Sequence, residues 1–564
     1  MLNERCFSAV CFIPLDPNGP RIFGFSEFLA GLALMVLAWT IGDIRYRFRI
    51  QTAPIALQGV TFTIVAALGI LTLLTDLWRA QGWLVPEGDF LTPATWQALL
   101  AGLFLVTFLS WAWFAFIRRP TYGKRNAERF ATTLYRLILK GNPAELAVIA
   151  DELTYSAKAL VQYATNRGDA DSDQQDEDSQ RKPLTKVVQY ANDMLLLMAD
   201  KRLCRVIVES SPGTALAIFA EIGETKKYRI QIDIFAKNIV REALLNTNSF
   251  LYHEAEGYES GLLGYHKPLS QAMFGNLKMV ESISTLLDPD YTGKEKWGSA
   301  QWEAYCRLVL IALGDSDNGL LWSNSIILYR AKDYIESAVS DLYKLNNLPS
   351  TWETDEAKCL QVIMKFIWSA TQILDSKGVP DHIRRRVREK HGHPRESFYD
   401  HIASMIYEII FSASSISSPQ WECWSIQHNT IWSRMRHQLS GPAGQIIRFK
   451  LHRLLYDEIA DMSRFPNFKG ARILSYCLNV MGLQVRTGSF QKDSRPLHKA
   501  IISWTKKNYV TLQSTSPRVA EACLVDGITF DADNLQLVKI STANALRNQP
   551  NYIYLKLDPA QNNE

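Results

Sequence analysis

Charge is what the sequence lacks first. Residues 1 to 119 hold eight Lys and Arg and seven Asp and Glu, out of 61 and 57 in all 564 residues. A stretch so poor in charge is not the exterior of a soluble domain, even though the mean hydropathy of the whole chain, −0.09, would suit one. An excess of one sign is missing too. The net charge is +4, which excludes the basic balance of a dedicated nucleic-acid binder and makes nucleic acid an unexpected partner. Eight cysteines stand singly at positions 6, 11, 204, 306, 359, 423, 477 and 523, without a Cys-x-x-Cys pair, which argues against a structural zinc ribbon. With 30 Gly, 22 Pro and 47% hydrophobic residues the chain is neither collagen-like nor disordered. There is no GxxxxGK[ST], no GxGxxG after a strand, no GxSxG and no HExxH. No cofactor is therefore expected, and no residue is assigned a catalytic role.

What is present is three long apolar windows, each able to cross about 30 Å of hydrocarbon as about 20 helical residues. Ile50 to Thr75 and Phe90 to Ile117 contain no ionisable side chain, and Ile22 to Gly42 contains Glu27 alone. Spans are expected at about 22–42, 54–75 and 95–117. A cleaved signal peptide would need a basic leader and a small-residue cleavage site, and neither MLNERCFSAVCFIPLDPNGP nor AWTIGDI provides them. Lys and Arg stay on the cytoplasmic side of short loops. Arg45, Arg47 and Arg49 in the first loop, and Arg118, Arg119, Lys124 and Arg125 after the third span, thus set an N-out, C-in topology in a bacterial inner (plasma) membrane. Trp78, Trp83 and Trp96 near one end and Trp39, Trp111 and Trp113 near the other agree with an interfacial aromatic belt. Inside the spans Gly59, Gly69 and Gly102 suit close helix contact. Thr61, Thr63, Thr72, Thr107 and Ser110 suit bonds across helices or back to their own carbonyls. An anchor is the leading reading of these residues, and a hydroxyl-lined oligomeric pore is the alternative.

Beyond residue 120 apolar residues recur at helical spacing. Asn142, Pro143 and Glu145 predict a capped helix whose face is Leu146, Ile149, Ala150, Leu153, Ala157, Leu160 and Val161. Further stripes run through Val187, Tyr190, Ala191 and Met194; Leu360, Ile363, Phe366, Ile367, Ala370 and Leu374; Ile402, Met405, Ile406 and Ile409; and Ile447, Leu451, Leu454 and Leu455. No fixed period emerges, so an irregular array is favoured over a named repeat. The expected fold is mainly α: a three-helix transmembrane module, a large irregular α-helical cytosolic domain and a small C-terminal β element. Its parts are an external N-terminus (1–21), the membrane module (22–119), juxtamembrane helices (120–166), an acidic mobile loop (167–183), the helical body (184–515) and a terminal element with short strands (516–564). In that last part Ile528 to Ile540 and Tyr552 to Leu557 read as strands.

Seven of ten histidines fall between His382 and His452. His391, His393 and His401, close to Asp400, are a candidate metal set by ligand type, though no known metalloenzyme spacing is present. Arg384, Arg385, Arg386, Arg388 and Lys390 are a candidate anion site, set against the reading of a helix with solvated charged sides. Pro289-Asp290 with Lys294-Glu295-Lys296 departs from nuclease spacing, and Asp315 to Gly319 departs from a calcium loop. The leading expectation is a membrane protein, without evident catalysis, whose cytosolic helical domain binds a protein partner or senses a signal. Its other partners are the bilayer and, optionally, further copies of itself. One alternative resembles bacterial stress and phage-defence effectors in architecture: a body that controls oligomerised, permeabilising spans. The other is a membrane-tethered metal-dependent phosphohydrolase or nuclease.

Overall fold

The computed structural model describes residues 5–7, 10–17, 19, 21–41, 43–86, 92–166, 185–260, 264, 266–288, 297–314, 325–348, 350–379, 397–485, 493–541 and 551–559. It is mainly helical with few strands, and it divides into two compact units, residues 1–242 and 243–564.

The first unit begins with strands β1 (Arg5–Phe7) and β2 (Val10–Pro14), followed by helices α1 (Phe25–Ile41), α2 (Ile44–Thr52) and α3 (Leu57–Ala80). Strand β3 (Leu84–Pro86) precedes α4 (Pro93–Ala112), which runs on as a π-helical turn at Trp113–Ile117. Thr92 caps α4 by accepting from the Thr95 backbone at 3.2 Å, with Pro93 in the first turn. The start of α1 is capped by its own Glu27 and by side chains from elsewhere in the chain. The Phe25 backbone N–H donates to Asp76 at 2.8 Å, Gly24 to Glu27 at 2.9 Å, and Ile22 to the buried Gln97 at 2.9 Å. The backbone donors at and just before the start of this apolar helix are thus satisfied by polar side chains of α1 itself, α3 and α4.

Two helices are long and apolar enough to cross a membrane, Leu57–Ala80 and Pro93–Ile117. Two bent pairs raise the number to as many as four: Phe25–Thr40 with Ile44–Thr52, at 106°, and Lys201–Ser210 with Pro212–Thr225, at 101°. Helix α3 extends past the expected end at residue 75, so that Asp76 and Arg79 belong to its last turns. Side chains such as Phe62, Ile70, Leu105 and Val106 are exposed on α3 and α4, a surface suited to lipid rather than water.

Of the three glycines expected to allow close helix contact, one does so. A Cβ on Gly69 would meet the Phe28 ring at 2.8 Å, whereas Gly59 and Gly102 face open space. Gly31, which the pattern did not single out, has the same role as Gly69, with the Phe104 ring 2.7 Å from a Cβ placed there. Phe28 and Phe104 meet edge to face at 5.8 Å, so two glycines admit the two rings that key α1 to its neighbours. Thr63, Thr72 and Thr107 donate to carbonyls three or four residues back in their own helices.

An N-terminal antiparallel sheet in the order β1-β2-β3 was not expected. Its registers are Cys6↔Cys11 between the first two strands and Phe12↔Pro86, Ile13↔Val85 and Pro14↔Leu84 between the next two.

The rest of the unit is α5 (Ala127–Lys140), α6 (Pro143–Tyr163), α7 (Lys186–Leu197), α8 (Lys201–Ser210) and α9 (Pro212–Thr225). The capping box of α6 forms as its sequence requires: Glu145 N–H donates to Asn142 at 2.9 Å and Asn142 N–H to Glu145 at 3.1 Å. Its whole predicted apolar face is buried.

The second unit starts within α10 (Asp233–Leu245). It packs helices that include α11 (Asp355–Ser376), α12 (Phe398–Ala413), α13 (Pro442–Asp461) and α14 (Phe468–Met481). The stripes of α11 and α12 are buried throughout, but on α13 Leu454 is exposed while Ile447, Leu451 and Leu455 are buried. Strands β4 (Ile528–Asp531), β5 (Gln536–Ser541) and β6 (Asn551–Lys556) form an antiparallel sheet in that order. Asp531 closes the first turn, accepting from the Asn534 backbone at 3.2 Å and from Asn534 and Gln536 side chains at 2.8 Å.

Candidate functional site

A cluster of buried charge lies in the first unit, where α2 meets α6. Along Ile44–Thr52 arginine alternates with apolar residues, so Arg45 and Arg49, four apart, share a helix face that Arg47 does not. Arg47 is exposed, and Arg49 is buried.

Arg49 donates through Nε to Glu152 Oε2 at 2.9 Å and through Nη2 to Oε1 at 2.5 Å, a two-pronged bridge that fits the planar guanidinium to the carboxylate. Both side chains are almost without solvent, at 4% and 2% exposure. Arg45 completes the cluster from the rim, reaching Asp151 at 3.1 Å and Glu152 at 3.6 Å. The remaining nitrogen of Arg49, Nη1, donates to the carbonyls of Ala115 at 3.4 Å and Phe116 at 3.3 Å. Those carbonyls belong to the π-turn that ends α4, where helix geometry leaves acceptors without intrahelical donors. One guanidinium therefore holds three elements: α2, α6 and the end of α4.

Neighbouring contacts fix the same joint. Asn126, buried, donates to Thr52 O at 2.7 Å and Thr121 O at 3.0 Å, and Arg129 donates to Pro54 O at 2.9 Å. Phe48 of α2 meets Phe130 of α5 at 5.4 Å, and Tyr46 meets Phe116 at 4.6 Å. Tyr122 receives the Phe130 ring and donates its hydroxyl to the Val187 carbonyl; burial, and then the nearby Asp193 charge, push that hydroxyl's pKa above its ordinary value. Arg119 stacks over Tyr155 at 4.0 Å, and Arg118 lies 5.7 Å from the Phe114 ring centre.

No protein-family model, curated protein or solved structure matches the chain. The reading of the joint rests on its own geometry.

Arg45 and Arg49 enter the joint; Arg47, Arg118, Arg119, Lys124 and Arg125 are exposed around it. Arg384, Arg385, Arg386, Arg388, Lys390, His391 and His393 lie outside the described residues, as do the acidic loop 167–183 and the 289–296 and 315–319 motifs. His401 is buried, with its ring 5.1 Å from that of Tyr329. Asp400 is engaged by its own helix start and by α13, accepting from Ser397 N–H at 2.9 Å and from Lys450. Burial alone would raise that carboxyl, but Lys450 and Ser397 together hold it below its usual range. His428 stacks on Trp424 at 4.5 Å, and His452 lies beside Trp432 at 6.0 Å. Among the described residues no three His, Cys, Asp or Glu side chains are grouped as a metal site.

Sequence reasoning missed Glu152. Its signal was there: the position falls on the apolar face defined by Ile149, Leu153 and Ser156, where a carboxylate must find a partner.

Proposed function

We propose that the chain is an integral membrane protein of a bacterial inner membrane, with α1, α3 and α4 as spans, its N-terminus outside and its helical body in the cytosol. In this reading the body binds a protein partner or senses a signal and transmits that event to the spans. The observation that supports it is the buried Arg49–Glu152 bridge with its third contact on the end of α4. A passive anchor needs only a flexible tether. Here the first helices of the body and the apolar helices share one desolvated ion pair, so a shift of α6 is felt at α2 and α4.

The test is crosslinking of tagged full-length protein in its native membrane, followed by identification of bound species. A reproducible cytosolic protein joined to residues beyond Ala127 supports the reading. Absence of any reproducible species, together with turnover of a substrate by the purified chain, overturns it.

A second reading, in which the body controls an oligomeric permeabilising bundle, is favoured by one feature: α1 keeps Leu29, Leu34, Val36 and Leu37 exposed, a face open to lipid or to another copy. Recording membrane potential during induction separates the two. Depolarisation by the wild type that is lost in a Glu152→Gln variant of equal abundance supports the effector, and an unchanged potential removes it.

A further inference from the structure

Strands β1 and β2 pair antiparallel with Arg5 opposite Phe12, Cys6 opposite Cys11 and Phe7 opposite Val10. Two residues separate the closing partners, and the cysteines are the next pair out. Directly opposed residues of an antiparallel ladder share one face of the sheet. Their Cα atoms lie about 4.5 or about 5.5 Å apart, according to which of the two alternating pair types they form. Both spacings fall inside the range of about 4.4 to 6.8 Å that a disulfide spans without backbone movement.

The six other cysteines are a different population. Cys204, Cys306, Cys359, Cys423, Cys477 and Cys523 are all buried and none is joined in a disulfide, and burial pushes the Cys423 thiol up to about 12. Such thiols form little thiolate and resist oxidation. On the topology proposed above, these six occupy the reducing side, whereas Cys6 and Cys11 lie on the side where disulfides persist.

We propose that Cys6 and Cys11 form an intramolecular disulfide on the outer face of the membrane, so that this hairpin is a site of oxidative modification. The inference rests on the N-out reading. The oxidant is a disulfide-bearing thiol oxidase of the extracytoplasmic space. The thiolate of one cysteine attacks a sulfur of the oxidant's disulfide, breaking that bond and expelling the second oxidant sulfur as thiolate. The other cysteine's thiolate then attacks its partner within the mixed disulfide, forming the Cys6–Cys11 bond and releasing the first oxidant sulfur. Two electrons pass to the oxidant, and the two protons given up by the cysteines end on its thiols. The bond ties β1, which pairs with β2, to a sheet anchored at β3.

The test uses full-length protein in sealed spheroplasts, acid-trapped, denatured and counted by gel shift with a polyethylene-glycol maleimide. The wild type is expected to shift by six thiols before reduction and by eight after it, from the eight cysteines of the chain. Cys6→Ser is expected to shift by seven without reductant. Eight reactive thiols in the unreduced wild type, or a disulfide-linked dimer on a non-reducing gel, overturns the proposal. A membrane-impermeant maleimide added to sealed Cys6→Ser spheroplasts isolates the topology. Labelling of Cys11 supports the N-out reading whatever the wild-type count, whereas labelling only after permeabilisation overturns that reading and the disulfide with it.

Discussion

At the scale of single residues, the joint should behave as buried ion pairs do. Removing one partner strands a charge out of water, at a cost of about 3–5 kcal/mol, while replacing both by apolar groups of similar volume costs far less. Glu152→Gln is therefore expected to lower the thermal midpoint of the detergent-purified chain markedly, and the double variant Arg49→Met/Glu152→Leu to recover most of the loss. Arg45→Ala, which breaks a half-exposed contact with Asp151, should cost no more than about 1 kcal/mol. A double variant as unstable as Glu152→Gln would show that the bridge does not act as a unit.

His452 makes a pH prediction. Burial, and then the nearby Arg448 charge, pull its pKa down to about 4, against an opposing pull from Asp493. The unfolded chain binds that proton near pH 6.5, so the neutral ring contributes stability fully above pH 6.5, and the contribution is lost as pH falls toward 4. It amounts to about 3 kcal/mol at most. Thermal midpoints of the wild type should fall more steeply across that window than those of His452→Gln, and parallel curves would refute the assignment. Arg45, Arg47 and Arg49 were legible from the sequence as a basic cluster, but their sorting was not. Arg49 and Glu152 are 103 residues apart, and local patterning carries no information about which distant carboxylate a buried guanidinium will find.

At the scale of elements, Gly31 and Gly69 predict an asymmetry among the apolar helices. Valine at either position drives a side chain into the Phe104 or Phe28 ring and should destabilise by about 1–3 kcal/mol. Valine at Gly59 or Gly102, which face open space, should leave the thermal midpoint of the purified protein nearly unchanged. Equal losses at all four sites would mean that helix propensity, not ring packing, sets the effect. The α6 and α11 stripes were readable because one helix face repeats every three or four residues and faces one core. Leu454 on α13 broke its stripe because an apolar residue at the edge of such a face has no obligation to be covered. The N-terminal sheet was unreadable for another reason. Its strands are three to five residues long, too short for a period to register, and β3 is separated from β2 by three helices.

At the scale of the whole molecule, the sequence divided the chain by solvent, near residue 119, while its contacts divide it by packing at residue 242. The difference arises because α5 to α9 pack in the same compact unit as the apolar helices, through contacts such as those of Arg49 and Asn126. The proposed orientation predicts that a fluorescent reporter fused at the C-terminus is active and that a reporter requiring export is silent there. The reverse pattern would invert the topology. Pairing of β2 with β3 has a consequence in time. Phe12 and Pro86 are partners, yet roughly seventy residues must be synthesised between them, which at about 5–20 residues per second takes about 4 to 14 seconds. During that interval the N-terminal strands wait without their third neighbour, so the sheet is a late product of synthesis, closed only after α3 has been made.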